Sequence, residues 1–144
     1  MTQQGKGRFA KKHGPDRKPI PEVTESVMER ARGGEIPCAT AFTVAEDRRV
    51  SPAEVGLAID CLEVSIVKCQ LGLFGYGQQW SIVEPAADVS PELEAAIRRD
   101  LVEGRLPCAT TWRIASDLDV PRMGVAAACE QLGIRICTCQ LGAF

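Results

Sequence analysis

The chain has 144 residues, seven cysteines, 45% hydrophobic content and a net charge of −2. No apolar run approaches the length of about 18 residues that a membrane helix needs, and the basic N-terminus lacks the apolar stretch of a secretory signal, so a cytoplasmic location is expected. With His13 as the only histidine and no phosphate-cradling G-x-x-x-x-G-K-[ST] loop, no catalytic constellation emerges and no enzyme is expected.

In chain order, residues 1–20 come first. They hold Lys6, Arg8, Lys11, Lys12, Arg17 and Lys18 against Asp16 alone, a net +5, which leaves −7 for the remainder. Almost nothing here is apolar, so the stretch reads as a disordered basic arm. Its chemistry suits two roles equally, a tail that binds phosphates or a solubilising terminus.

Beyond the arm the chain repeats itself. Residues 21–74 align with 91–144 without a gap, at a constant offset of 70. "IPCAT" answers "LPCAT", and "KCQLGLF" answers "TCQLGAF". Identities such as Pro21/Pro91, Ala45/Ala115, Val55/Val125, Leu62/Leu132 and Phe74/Phe144 run the whole length. This is an internal duplication. A unit this small buries a modest fraction of its surface, so the copies are expected to pack on each other or on a second chain.

Each copy predicts the same elements. A first helix starts at a proline, Pro21 or Pro91, which suits the first helical position. In the second copy Ser90 is the expected N-cap, with Glu92 and Glu94 at the positive end. Val23 and Val27, or Leu93, Ile97 and Leu101, form one apolar face, and Gly33-Gly34 or Gly104 ends the helix. A proline-restricted extended lead-in follows, then a second helix near 39–48 or 109–118. A break at "RRVSP" or "LDVPR" leads to a third helix near 52–62 or 122–132. "VSIVKCQL" and "IRICTCQL" read as strands. After the first of these, "GLFGYGQQ" is a Gly-rich turn and "WSIVEP" is expected to return as a second strand. The second copy has no returning strand.

Helix, short strand, helix, turn, helix, hairpin is the order of a winged helix, and the centre of each copy resembles a helix-turn-helix motif. A small residue stands inside the second helix, Ala45 or Ala115, where the third helix must cross closely. Apolar residues stand where the two helices face each other: Val44, Val50, Val55 and Ala58, or Ile114, Leu118, Val120, Val125 and Ala128. The pattern departs from the motif at the turn, where Arg49 and Asp119 replace glycine, and at Arg48. The resemblance implies a mainly α chain with small β-hairpins (α+β), made of tandem duplicated winged-helix-like units. The expected domains are the arm 1–20, a first winged-helix repeat with its wing over 21–84, a linker over 85–90 and a second repeat with a truncated wing over 91–144.

The resemblance also implies a DNA-binding transcriptional regulator. Base readout needs polar groups on the outward face of the third helix. Those positions are Ser51, Ala53, Gly56, Leu57 and Asp60, then Arg122, Met123, Ala126, Ala127 and Glu130. Only Ser51 and Arg122 suit base edges. Phosphate contacts would come from Lys6, Arg8, Lys11, Lys12, Arg17 and Lys18 in the arm, with Lys68, Gln78 and Gln79 from the first wing. Ala53, Gly56, Leu57, Met123, Ala126 and Ala127 suit close packing instead, and at least one of these faces is expected to be covered. The alternative function is therefore a non-enzymatic protein-interaction or assembly module on the same fold, with a homo-oligomer or another protein as partner.

The cysteines leave two readings open. Cys38 matches Cys108, and Cys69 matches Cys139; Cys61, Cys129 and Cys137 occur once. No C-x-x-C pair exists, so no familiar zinc spacing is present and no cofactor is required. Free cysteines are usually small buried hydrophobes. The other reading places Cys38 near Cys69 and Cys108 near Cys139, as redox-active thiols or a four-thiolate metal site. Cys38 and Cys108 begin a helix, where the dipole favours thiolate.

Overall fold

The computed structural model describes residues 17–144; most of the basic arm, including Lys6, Arg8, Lys11 and Lys12, lies outside them. Among the described residues the chain is mixed helix and strand. In order it forms α1 (Pro21–Arg30), β1 (Glu35–Pro37), α2 (Cys38–Arg48), α3 (Pro52–Cys61), β2 (Ser65–Val67), α4 (Pro91–Arg99), β3 (Leu106–Pro107), α5 (Cys108–Leu118), α6 (Arg122–Leu132) and β4 (Ile136–Cys137). Every element of the first copy recurs in the second near the offset of 70.

The local reasons are those the sequence supplies. Prolines open α1, α3 and α4. The Ser51 and Ser90 hydroxyls cap α3 and α4 by accepting from the Glu54 and Leu93 amides, each at 3.2 Å. Such a cap satisfies a helix-end N–H that has no partner within the helix. Glu92 and Glu94 lie in the first turn of α4 and Arg98 and Arg99 in its last, as the helix dipole prefers.

The chain divides into two compact units, and the first is not one continuous stretch. The first runs to Cys69 and includes Gln140–Phe144; the second spans Gln70–Cys139. In the first unit α1 packs on both α2 and α3, which also pack on each other. Val23, Val27, Ile36, Ala41, Val44, Val55, Ala58 and Ile59 fill its interior. In the second unit α4, α5 and α6 repeat this arrangement around Ile97, Leu106, Ile114, Ala115, Val125, Ala128 and Cys129. Leu118, expected at the helix–helix contact, is instead 36% exposed.

The strands meet expectation in part, since each copy keeps its lead-in strand and the strand after its third helix. β1 pairs with β2 in parallel, Ile36 opposite Ile66, and β3 pairs in parallel with β4, Leu106 opposite Ile136. Among the described residues no wing hairpin forms. "WSIVEP" (80–85) contains no strand, and Gly77–Gln79 makes one 3-10 turn. The lead-in strand occupies the edge of β2, with the Ser65 amide donating to the Gly34 carbonyl at 2.9 Å. Positive φ at Gly75, Gly77 and Trp80 breaks the extended backbone that a returning strand needs. One ladder-like bond remains, from the Ile82 amide to the Gly72 carbonyl at 2.8 Å.

The duplication is visible in the backbone dihedrals. Positive φ occurs in pairs 70 residues apart: Gly33 with Glu103, Gly34 with Gly104, Arg49 with Asp119, Glu63 with Gly133, Lys68 with Thr138, and Gly72 with Gly142. The turn between the second and third helices is thus made without glycine. Arg49 (φ 55°) and Asp119 (φ 57°) adopt the left-handed conformation and cap α2 and α5.

A side chain in that conformation costs roughly 1–2 kcal/mol, partly offset because glycine loses more entropy on folding. Glu103 is exposed at φ 53°, where the first copy has Gly33. Glu103→Gly should therefore raise stability by about 0.5–1 kcal/mol, and Gly33→Glu should lower it by a similar amount. Chemical denaturation of both variants against the unmodified chain measures the pair of opposite shifts.

Candidate functional site

The third helices are the natural place to look for a readout surface, and α3 is closed. Val55 through Asp60 are all buried. Leu57 is 1% exposed and Asp60 5%, so both leave the outward set to which the sequence reading assigned them. The cover is the C-terminal segment. A Cβ placed on Gly56 would overlap the Leu141 carbonyl oxygen and come within 2.8 Å of its carbon. Leu141 itself is 2% exposed. Ala53, one turn earlier, stays exposed. The missed signal is the run Val55–Ile59, five residues without a polar side chain; a helix apolar all round is buried all round.

In the second unit α6 is partly closed. Ala126 is buried and Ala127 half-buried, whereas Met123 is 40% exposed. Within the same unit, a Cβ on Gly72 would meet Val83 Cγ2 at 3.0 Å, Ile82 Cγ1 at 3.2 Å and Met123 Sδ at 3.5 Å. Gly72, Ile82 and Met123 therefore share one spot, and Ile82 (37%) and Trp80 (40%) are exposed with Met123. The Trp80 ring lies 5.9 Å from that of Phe74.

Both side chains expected to read bases are engaged. Ser51 is the cap of α3. The Arg122 guanidinium lies 3.5 Å from the centre of the Trp112 ring and donates to Gln70 Oε1 at 2.7 Å. Cation–π stacking and a charge-assisted hydrogen bond together fix this arginine against its own unit. Trp112 and Phe42 are half-buried rather than central to the cores. Lys68 is exposed after β2, and Gln78 and Gln79 are exposed in the 3-10 turn rather than on a wing. Arg17 and Lys18 are exposed where the arm enters the first unit, with Arg17 4.0 Å from Glu54 of α3.

Several other cations are paired. Arg30 binds Asp47 at 2.9 Å, Arg98 binds Glu94 at 2.8 Å, and Arg113 binds Asp100 and approaches Asp117. Exposed pairs of this kind add about 0–1 kcal/mol, but they remove charge from any phosphate-binding face.

None of the seven cysteines is in a disulfide. Cys38 and Cys69 are buried in the first unit; Cys108 is buried and Cys139 half-buried in the second. Among the described residues no three His, Cys, Asp or Glu side chains gather as a metal site. Cys129, which the sequence did not single out, has its pKa pushed up from 9.0 to about 11, mainly by burial and secondarily by the Glu130 carboxylate.

Two measurements test these placements. Gly56→Ala should destabilise the chain by about 2 kcal/mol or more, because its Cβ meets backbone that cannot swing aside. Gly124→Ala, whose nearest neighbour is a Pro121 ring carbon at 3.5 Å, should instead stabilise α6 by about 0.5–1 kcal/mol. Thermal melts of the two variants should move in opposite directions. For Cys129, the folded thiol stays protonated while the unfolded one ionises. Its contribution is intact below pH 9 and is lost as pH rises toward 11, by proton linkage. Cys129→Ala should flatten the fall in stability across that window, and iodoacetamide at pH near 8 should label Cys137 and Cys139 before Cys129.

Comparison with protein-family models, curated proteins and solved structures finds no match for the chain.

Proposed function

We propose that the chain is a non-enzymatic, cytoplasmic DNA-binding regulator built from two tandem winged-helix-like units. It holds DNA through phosphate contacts rather than through a free recognition helix. The observation that carries this reading is the repeated α2–turn–α3 and α5–turn–α6 arrangement. Each has a small residue, Ala45 or Ala115, buried at the helix contact and a left-handed turn at Arg49 or Asp119. The strongly basic arm precedes α1 of the first unit in the sequence, and its described end, Arg17 and Lys18, is exposed. Phosphate neutralisation supplies most non-specific DNA affinity, which suits an arm of net +5. The covered face of α3 and the stacked Arg122 favour weak sequence preference.

A second reading is a protein-interaction module. It draws on the exposed apolar group of Trp80, Ile82 and Met123, since such patches commonly mark contact surfaces.

Fluorescence anisotropy with a mixed-sequence duplex at several salt concentrations distinguishes the two. The intact chain should bind at low salt, with log K falling as salt rises. Removing residues 1–20 should weaken binding and flatten that dependence, while Arg122→Ala should change the preference among sequences little. No binding by the intact chain at low salt would transfer the assignment to the interaction module.

A further inference from the structure

We infer that Arg105 and Arg135 form a paired-guanidinium site for the phosphates of a nucleic-acid backbone, carried by the second unit alone. This rests on the nucleic-acid reading above and adds a second phosphate-binding point to the arm. β3 and β4 run parallel with Leu106 opposite Ile136, and the Leu106 amide donates to the Arg135 carbonyl at 2.9 Å. Arg105 and Arg135 are therefore neighbours at the preceding register position. Side chains alternate along a strand. Leu106 is buried and Ile136 half-buried, whereas Arg105 and Arg135 are both exposed. Extended one residue back, as Glu35 and Ser65 extend the pair in the first unit, that register puts the two arginines on the same side of the strand pair.

Two like charges at one register oppose strand pairing. Elsewhere in this chain Arg30, Arg98 and Arg113 each meet a carboxylate. Among the described residues neither Arg105 nor Arg135 shows a side-chain hydrogen bond or ion pair. A bridging oxyanion resolves that repulsion, and planar guanidinium forks match phosphate geometry. The equivalent positions of the first unit are Glu35 and Ser65, paired at the same register, so the duplicated scaffold is the same but its charge there is reversed. Glu103, exposed two residues before Arg105, is the one acidic neighbour in sequence and opposes anion binding.

The test uses the full chain and a labelled mixed-sequence DNA duplex, titrated from low to physiological salt. Removing one cation that neutralises a phosphate reduces the slope of log K against log salt by about 0.9. Arg105→Gln and Arg135→Gln should each reduce it by about that amount, and together by about twice that. Arg135→Lys, which keeps the charge, should keep the slope. Arg98→Gln, which removes a cation already paired with Glu94, should leave it unchanged, and Glu103→Gln should tighten binding at low salt. Circular-dichroism melts should show every variant folded, with Arg105→Gln and Arg135→Gln at or slightly above the unmodified chain, because the side chains are exposed and their mutual repulsion is relieved. DNA binding with an unaltered slope in both glutamine variants would overturn the paired site while leaving the DNA reading intact. No binding by the unmodified chain at low salt, or binding to anionic vesicles in place of duplex, would overturn both.

Discussion

A third helix without a polar side is the constraint on which the first unit depends. Val55 to Ile59 present apolar groups in every direction, and a three-helix unit of this size has too few partners to cover them all. The C-terminal segment closes the gap. Its backbone rests on Gly56, where any larger residue would hold it off, and Leu141 is buried with the core. Closing that gap by burial contributes roughly 1.5–3 kcal/mol for a residue such as Leu57 or Leu141. The same closure removes the face of α3 from any groove-reading role.

The duplication preserved backbone more strictly than chemistry. Positive φ recurs in pairs along both copies, and glycine in one copy faces glutamate in the other at two of these positions. Such places are held in a costly conformation by the surrounding packing. Charge diverged where packing imposed nothing. The first copy pairs exposed Glu35 with half-buried Ser65, and the second carries exposed Arg105 and Arg135 at the equivalent positions. Function on a repeated scaffold is thus free to concentrate in one unit.

Engagement of polar side chains also reallocates roles. Arg122 is the residue of α6 best suited to a base edge, yet Trp112 and Gln70 hold it. Releasing it would cost a cation–π interaction and a charge-assisted hydrogen bond. Ser51 is committed to capping α3. Among the described residues, exposed charge remains at Arg17, Lys18, Arg105 and Arg135, and exposed apolar side chains at Trp80, Ile82 and Met123. The cysteines take no part in a described metal cluster, and burial holds Cys129 in its inert thiol form.

The sequence alone determined the repeat, the helix starts and most of the apolar residues that pack between the helices. These follow from local rules: proline at the first turn, serine caps, and apolar residues spaced by the helical period. The left-handed turn at Arg49 and Asp119 was legible only as a departure, because a positive φ without glycine leaves no local signature. Tertiary structure decided the rest. β2 paired with β1 alone and no returning strand formed among the described residues, since strand partners are chosen by distant chain segments and not by propensity. Leu57 and Asp60 looked outward on a helical wheel, because a wheel shows which residues share a face but not what covers it. The cover came from residues 140–144, more than eighty positions downstream. Arg122 looked free for the same reason: a stacking partner ten residues away on another helix becomes visible only when the helices have packed.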